Sequence, residues 1–127
     1  MKIEHLAIWT ENIEVMCNFY MKYFGMQSNN MYINEKKGFC SYFLSWEDET
    51  TRIEIMSQDG KITSQPNKMI GLAHFALSVG SEERVLELTE QLRNDGYEIL
   101  SEPRHTGDGY FESAIGDPEG NYVEITV

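Results

Sequence analysis

Hydrophobic positions in the first half of the chain predict one strand, one helix and then three more strands. Residues 3–10, IEHLAIWT, are rich in apolar and β-branched side chains and predict a strand. Beyond it, apolar side chains recur at helical spacing, which predicts a helix that starts at Thr10 or Asn12 and stops at Gly25. Three short strand candidates follow, with the sequences MYIN, GFCSYFLSW and TRIEIMS.

The second half repeats this order. Residues 72–79, LAHFALSV, predict a strand, and Ser81 is an N-cap candidate followed by two glutamates that favour the helix dipole. The helix that follows places Val85, Leu88 and Leu92 on one face and stops at Gly96. The next strand candidates are YEIL, GYFESAI and NYVEITV, and the turn sequence DPEGN joins the last two.

The repeated order predicts an α+β fold built from two βαβββ modules. We place module 1 at about residues 1–57, a polar linker at about 58–69 and module 2 at about 70–127, all within a single domain. A unit of about 60 residues is too small to bury one face of its sheet alone. The two modules are therefore expected to pair and form an open eight-stranded cup.

Aligning the halves by element order places one histidine and one glutamate at matching positions in each. His5 matches His74 in the first strand, and Glu54 matches Glu124 in the last strand. Period-two alternation puts His5 on a largely apolar face, with Glu4 facing the other way, and turns Glu54 away from its isoleucine neighbours. Four unrelated residues would rarely fall into this shared register by chance.

These four side chains predict a metal site if their strand faces are buried. An ionised carboxylate removed from water without a partner is so unfavourable that it takes up a proton instead. A divalent cation supplies the missing charge, because two neutral imidazoles and two carboxylates around it make a neutral site. The nitrogen and oxygen donors of His5, Glu54, His74 and Glu124 suit Ni, Co, Mn, Fe or Zn.

Each residue alone has a simpler interpretation. A single histidine in a strand is usually a hydrogen-bonded core or edge residue, and a glutamate between isoleucines usually lies on the solvent face of an amphipathic strand. Arg52 is also a candidate salt-bridge partner of Glu54. His105 has no counterpart in the first half, so we assign it to solvent in a Gly- and Pro-containing loop, SEPRHTGDGY. The repeated pattern, and no single residue, favours a metal.

Composition limits the functions worth considering. The 127 residues carry a net charge of −11 at pH 7, which repels nucleic acid backbones and anionic lipid surfaces. No run approaches the roughly 18 apolar residues of a membrane helix, and no signal-peptide core is seen, so we expect a cytoplasmic protein without nucleic acid or membrane partners. Cys17 and Cys40 lack zinc-site spacing and are expected to be reduced thiols.

The whole chain resembles the vicinal oxygen chelate superfamily, which contains glyoxalase I, extradiol dioxygenases, methylmalonyl-CoA epimerase, fosfomycin-modifying enzymes and bleomycin-binding proteins. The matching segments are IEHLAIW, FYMKYFGM, TRIEIM, GLAHFALSV and GDPEGNYVEI. The His, Glu, His, Glu order is most similar to that of compact bacterial glyoxalase I, or lactoylglutathione lyase. These motifs are more specific for the superfamily than for one reaction, since one fold hosts many activities.

The resemblance implies an octahedral metal held by His5, Glu54, His74 and Glu124, with two water positions open. It favours Ni or Co, with Zn, Mn and Fe as alternatives. The implied reaction is the isomerisation, through an enediolate, of a hemithioacetal formed from a 2-oxoaldehyde and a thiol. Glu124 would leave the metal to act as general base, since a carboxylate regains basicity when it detaches from a cation, and Glu54 would serve the opposite face of the substrate. A homodimer is also implied, with the cup built from both halves of one chain or from halves of two.

One position departs from the glutathione-using relatives. Those relatives carry an arginine four residues after the first histidine to hold a carboxylate of the thiol, and this chain has Trp9 there. Trp9 therefore argues against glutathione as the thiol. Arg52 and Arg104 are candidate replacements for the missing arginine, and Phe39 and Tyr110 are candidate residues of the substrate cleft.

Other functions of the superfamily stay open as alternatives: an epimerase, a dioxygenase, a thiol transferase that confers antibiotic resistance, or a non-catalytic protein that binds small molecules. Four intact ligands count against bleomycin binding, which needs no catalytic metal. Extradiol dioxygenases use two histidines and one carboxylate on iron, so a further glutamate would close an open coordination position. The epimerase usually has glutamine where Glu54 stands, and fosfomycin-modifying enzymes use two histidines and one glutamate.

Overall fold

The computed structural model describes residues 2–47, 49–60, 70–107 and 109–127. Two compact units, Met1–Ser64 and Gln65–Val127, contain module 1 and module 2. Both modules begin with a strand and a helix and continue as strands, so the predicted α+β class with two βαβββ modules is confirmed. The predicted linker lies outside the described residues from position 61 onward.

Module 1 consists of a mixed sheet and one helix. Its elements are β1 (His5–Trp9), α1 (Ile13–Phe24), β2 (Gln27–Ser28), β3 (Tyr32–Asn34), β4 (Phe39–Ser45) and β5 (Arg52–Gln58), with a short 3-10 turn at Glu35–Lys37. The sheet has the order β1-β5-β4-β2, and β3 also pairs with β4. β1 and β5 are parallel, whereas the other pairs are antiparallel. The first and last strands of the module are therefore neighbours.

Helix α1 covers one face of this sheet. It begins where the Asn12 side chain accepts a hydrogen bond from the backbone N–H of Val15, at 3.2 Å, and it ends at Gly25 in the left-handed conformation. The buried side chains of α1 are Met16, Cys17, Phe19, Tyr20 and Tyr23. The buried strand residues facing them are Leu44, Ile53 and Ile55. Since side chains alternate along β5, Glu54 lies on the sheet face that α1 does not cover.

Module 2 repeats this arrangement. Its elements are β6 (Phe75–Ser78), α2 (Glu82–Asn94), β7 (Ile99–His105), β8 (Phe111–Gly116) and β9 (Tyr122–Thr126). The sheet has the order β6-β9-β8-β7, and β6 is parallel to β9. Ser81 caps α2 as predicted, because its side chain accepts a hydrogen bond from the backbone N–H of Arg84 at 3.2 Å. The first and last strands are again neighbours.

Helix α2 packs its predicted apolar face on the sheet of module 2. Its buried side chains are Val85, Leu88, Thr89 and Leu92, and the buried strand residues include Leu77, Ile115, Val123 and Ile125. Thr89 is polar, but its hydroxyl bonds the Val85 carbonyl and the Ser113 hydroxyl, both at 2.6 Å. The buried Thr89 hydroxyl is therefore fully hydrogen-bonded, so it fits within the apolar core.

The DPEGN turn determines where β9 begins. The Asp117 side chain accepts hydrogen bonds from the backbone N–H groups of Glu119, at 3.0 Å, and Asn121, at 2.9 Å. Gly120 takes a φ of 82°, a conformation that glycine adopts at little cost. The predicted turn is thus confirmed, and it fixes the strand that carries Glu124.

The structure corrects the prediction for β2 and β7. The hydrophobic pattern does not predict β2, whose two residues are too few to show a period, so the described residues contain nine strands rather than eight. β7 continues beyond YEIL to His105, so Pro103 and His105 lie in a strand and not in a loop. β7 is at the sheet edge, and its register shifts between Ser101 and Arg104, which accommodates a proline without an N–H.

Neither α1 nor α2 is long and apolar enough to cross a membrane. This holds for every helix in the part of the chain that the structure describes.

Ile55→Ala is expected to lower the free energy of unfolding by about 2–5 kcal/mol, because Ile55 is fully buried beneath α1 and its loss leaves a cavity. Ile33→Ala is the matched control. Ile33 is 60% exposed, so its change is expected to stay within about 0.5 kcal/mol. Urea unfolding followed by circular dichroism measures both values. Equal losses would contradict the assignment of Ile55 to the core face.

Candidate metal centre

Parallel pairing of β1 with β5 brings His5 and Glu54 together. Ala7 is the residue opposite Glu54, and His5 lies two residues before Ala7, so all three side chains share one sheet face. The distance between His5 Nε2 and Glu54 Oε2 is 3.9 Å. The Glu54 side chain is 15% exposed and the His5 side chain 40%. The glutamate of this pair is therefore largely buried, whereas the histidine is partly open to solvent.

The same register recurs in module 2. Ala76 is opposite Glu124 in the parallel pair of β6 and β9, and His74 lies two residues before Ala76, just ahead of the first residue of β6. The distance between His74 Nε2 and Glu124 Oε2 is 3.2 Å. The Glu124 side chain is 17% exposed and that of His74 is 45% exposed, close to the values in module 1. The structure thus places one histidine and one glutamate together in each module.

The atoms that face each other in both pairs are of the kind that bind transition metals. Metal to nitrogen and metal to oxygen distances of about 2.0–2.2 Å put two adjacent ligands of one ion about 3 Å apart. The 3.2 Å separation in module 2 is close to this value, and the 3.9 Å separation in module 1 is somewhat longer. Each pair therefore fits half of a nitrogen and oxygen ligand set for a divalent cation.

Neither module completes a metal site by itself. Within the described residues of each module, no group of three or more His, Cys, Asp or Glu side chains is placed to hold an ion. Each module supplies two of the four predicted ligands. The quartet of His5, Glu54, His74 and Glu124 needs both pairs, and it stays a prediction.

The second ring nitrogen of His5 has a carboxylate partner. The two oxygens of Glu4 accept hydrogen bonds from His5 Nδ1 and from Arg52 Nη2. Hydrogen bonding to His5, assisted by Arg52, holds the pKa of the Glu4 carboxyl below its ordinary value. The Arg52 guanidinium also lies over the Phe43 ring, 4.1 Å from its centroid. Arg52 thus pairs with Glu4 in module 1.

The sequence prediction missed the role of Glu4. Alternation points its side chain away from His5, but Glu4 lies before the first residue of β1, where alternation no longer fixes side-chain direction. The contact of Glu4 with Arg52 follows instead from the parallel pairing of β1 with β5. It sets Arg52 opposite His5, and the Arg52 backbone N–H donates to the Glu4 carbonyl at 3.0 Å, so the charges of Glu4 and Arg52 meet.

His74 has different neighbours. Ala73 precedes it where Glu4 precedes His5, and Tyr122 stands two residues before Glu124 where Arg52 stands before Glu54. The centroids of the His74 and Tyr122 rings are 5.6 Å apart. The carboxylate and guanidinium that flank His5 therefore have no equivalents at these positions of module 2.

An aromatic cluster in module 1 lies on the sheet face that carries His5. Trp9 is on the same sheet face as His5 and is 49% exposed. Its ring meets Phe39 edge-on with centroids 6.1 Å apart, and Tyr32 lies 6.2 Å from Phe39. An open depression of about 390 Å³ borders Phe39 and also includes Cys40. Among the described residues that line it, none is a predicted ligand.

The two candidate substrate residues of module 2, Arg104 and Tyr110, lie in β7 and in the connection between β7 and β8. Arg104 donates to Ser101 Oγ at 2.6 Å and lies 3.5 Å from a carboxylate oxygen of Glu112. Tyr110 is exposed. His105 is exposed as predicted, with its ring 4.8 Å from that of Phe111.

Cys17 and Cys40 are free thiols. Burial, assisted by the charge of Glu14, raises the pKa of the Cys17 thiol to about 12. Cys17 is therefore protonated and unreactive at neutral pH, and it acts as an apolar core residue.

Solved structures with the same fold include several glyoxalases. Trypanothione-dependent glyoxalase I of Leishmania major is 20% identical, with a TM-score of 0.80 over 99% of this chain and 86% of that one. A glyoxalase family protein of Enterococcus faecalis is 24% identical, with a TM-score of 0.81 over 99% of this chain and 97% of that one. Glyoxalase I of Zea mays is 20% identical, with a TM-score of 0.81 over 98% of this chain but only 44% of the maize protein. At these identities the likeness shows the fold alone.

A search of curated protein sequences finds no match. The family model described as Glyoxalase/Bleomycin resistance protein/Dioxygenase superfamily matches residues 2–125, almost the whole chain. The match spans both modules and both histidine–glutamate pairs. The chain therefore belongs to the Glyoxalase/Bleomycin resistance protein/Dioxygenase superfamily.

Proposed function

We propose that this protein is a metal-dependent lyase or isomerase of the glyoxalase I type. Its substrate would be a hemithioacetal, formed from a 2-oxoaldehyde and a thiol, and its product a 2-hydroxyacyl thioester. The observation that carries the proposal is the repetition of one histidine–glutamate pair, in the same strand register, in both modules. Family membership supports it, since glyoxalases give the superfamily part of its name.

The four residues of the pairs would hold one divalent cation. His5 and His74 donate ring nitrogens, and Glu54 and Glu124 donate carboxylate oxygens, which together balance the charge of the ion. We propose nickel or cobalt, with zinc, manganese and iron as alternatives. When bound, the metal supplies a Lewis acid that stabilises negative charge on the two adjacent oxygens of the substrate.

The isomerisation moves one proton between adjacent carbons. Glu124 takes the proton from the carbon that carries sulfur, which generates an enediolate, and a proton returned to the neighbouring carbon completes the thioester. Glu54 is the matching carboxylate from module 1 and would serve the opposite face of this intermediate. Both side chains are largely buried, at 15% and 17% exposed, which limits the access of water to the base.

The thiol is proposed to be something other than glutathione. Trp9 occupies the strand position at which glutathione-using relatives carry an arginine, and it packs on Phe39. Arg52 is paired with Glu4, while Arg104 is on module 2 beside Glu112. Phe39, Tyr110 and the two arginines remain candidates for substrate contact.

The proposed setting is a cytoplasmic homodimer that acts on small molecules. Abundant low-molecular-weight thiols and reduced cysteines belong to the cytoplasm, and Cys17 and Cys40 are free. A two-fold dimer would allow each site to take its modules from one chain or from two.

About one divalent transition metal ion is expected per quartet after metal supplementation and removal of excess ion. His5→Ala and His74→Ala should each weaken binding by at least about 100-fold, because a lost ligand costs more than a lost supporting residue. His105→Ala is the matched control and should bind as the unsubstituted protein does, since His105 lies at the exposed end of β7. Elemental analysis and competition with a chelator measure these values. Metal-free protein after supplementation would contradict the proposal.

Glu124→Gln is expected to lower kcat for a hemithioacetal by about 10²–10⁴-fold, because an amide oxygen can still ligate a metal but cannot take up the proton. Glu112→Gln is the control. Its side chain is 15% exposed, close to the 17% of Glu124, and it belongs to the neighbouring strand of the same sheet, so it tests whether any largely buried carboxylate there matters. Steady-state kinetics with metal content determined in parallel separates base loss from metal loss. Unchanged kcat in Glu124→Gln would remove it from the mechanism.

Trp9→Arg is expected to raise kcat/KM for the glutathione hemithioacetal of methylglyoxal by about 10–100-fold, the value of one charge-assisted pair with a carboxylate. The unsubstituted protein should turn this adduct over weakly. Trp9→Gln removes the ring without adding charge and should give no such gain. Efficient turnover of the glutathione adduct before any substitution would show that position 9 does not select the thiol.

A further inference from the structure

His5 and three side chains around it, Glu4, Arg52 and Phe43, form a closed ring of contacts. Glu4 accepts from His5 Nδ1 through one oxygen and from Arg52 through the other. The Arg52 guanidinium lies over Phe43, 4.1 Å from the ring centroid, and His5 meets the same ring edge-on with centroids 5.5 Å apart. Each member of the ring therefore contacts two others, so the His5 imidazole is held on two sides.

The backbone below this ring is also fixed. The Arg52 N–H donates to the Glu4 carbonyl at 3.0 Å, and the Thr51 hydroxyl donates to the Ile3 carbonyl at 3.0 Å. Phe43 pairs directly with Glu54 across β4 and β5. The ring thus borders the strand position that carries Glu54, and its members come from three neighbouring strand segments.

The hydrogen bond to Glu4 determines where the proton of a neutral His5 ring lies. An ionised carboxylate only accepts hydrogen bonds, so Nδ1 must carry the proton and Nε2 keeps its lone pair. Nε2 faces Glu54 Oε2 at 3.9 Å, a distance too long for a hydrogen bond. The lone pair is consequently directed to the space between the two side chains, where a cation would accept it.

We infer that Glu4 is a positioning residue that sets the tautomer and ring orientation of His5, with Arg52 holding the Glu4 carboxylate in place. The consequence for metal binding rests on the proposed function, but the effect on the tautomer does not. A histidine ligand whose other nitrogen is bound by a carboxylate is oriented before the metal arrives, and such supporting residues change metal affinity by about 10–100-fold.

The second module has no equivalent of the ring of contacts around His5. Ala73 and Tyr122 stand at the positions in module 2 that Glu4 and Arg52 occupy in module 1, so the ring cannot form there. His74 lies 3.2 Å from Glu124, and its ring lies beside that of Tyr122. His5 is therefore the pre-oriented ligand of the two, and His74 serves as an internal reference in the same molecule.

The test is nitrogen NMR of the histidine rings in metal-free protein labelled with ¹⁵N-histidine, at about pH 8, where imidazole is mostly neutral. His5 should show the Nδ1–H tautomer. Glu4→Ala should shift His5 toward Nε2–H, Glu4→Gln should shift it less because the amide oxygen still accepts, and His74 should not change. Glu102→Gln is the matched control, since Glu102 also pairs with an arginine, Arg93, far along the sequence from His5. An unchanged His5 tautomer in Glu4→Ala, or Nε2–H in the unsubstituted protein, would overturn the inference.

Chelator competition then measures the consequence. Glu4→Ala should bind the metal about 10–100-fold more weakly, Glu4→Gln should lose less, and Glu102→Gln should lose nothing. Equal affinity in Glu4→Ala and the unsubstituted protein would overturn the supporting role even if the tautomer changes. Absence of metal binding in the unsubstituted protein, together with a tautomer shift in Glu4→Ala, would refute the proposed function while leaving the control of His5 by Glu4 supported.

Discussion

The parallel pairing of the first and last strands in each module is the interaction on which the candidate site depends. It sets Ala7 opposite Glu54 and Ala76 opposite Glu124, so a histidine two residues earlier shares a face with the glutamate. A one-residue shift of the last strand would turn its glutamate toward the helix and bury a carboxylate among apolar side chains. The apolar core under each helix therefore keeps each histidine–glutamate pair in register.

Most of the fold follows from local sequence signals. Ser81, Asn12, Gly25 and the DPEGN turn mark element ends that the structure confirms, because capping and turn geometry depend on few neighbouring residues. β2 is too short to carry a period, and the extension of β7 through Pro103 depends on its edge position, which no local pattern records. The presence of β2 and the extension of β7 both depend on pairing with strands distant in sequence, which the hydrophobic pattern does not encode.

Part of the candidate site was predictable from the sequence, because the repeat is visible in the sequence itself. The internal repeat aligns each histidine with its glutamate, and the structure places each pair within 4 Å. The contact of Glu4 with His5 and Arg52 was not predictable from alternation, because Glu4 lies outside β1. Because of this contact, the two histidine–glutamate pairs differ in their surroundings although they consist of the same residue types. One proposed ligand is held in advance by its neighbours, whereas the proposed base, Glu124, belongs to the pair without that support.

The most direct test of the proposed ligand quartet is a crystal structure of the nickel-loaded protein with anomalous scattering recorded at the nickel edge. One anomalous peak is expected, with His5 and His74 nitrogens and Glu54 and Glu124 oxygens as ligands, at about 2.0–2.2 Å. A peak held by only one histidine–glutamate pair, or by other side chains, would contradict the proposed quartet.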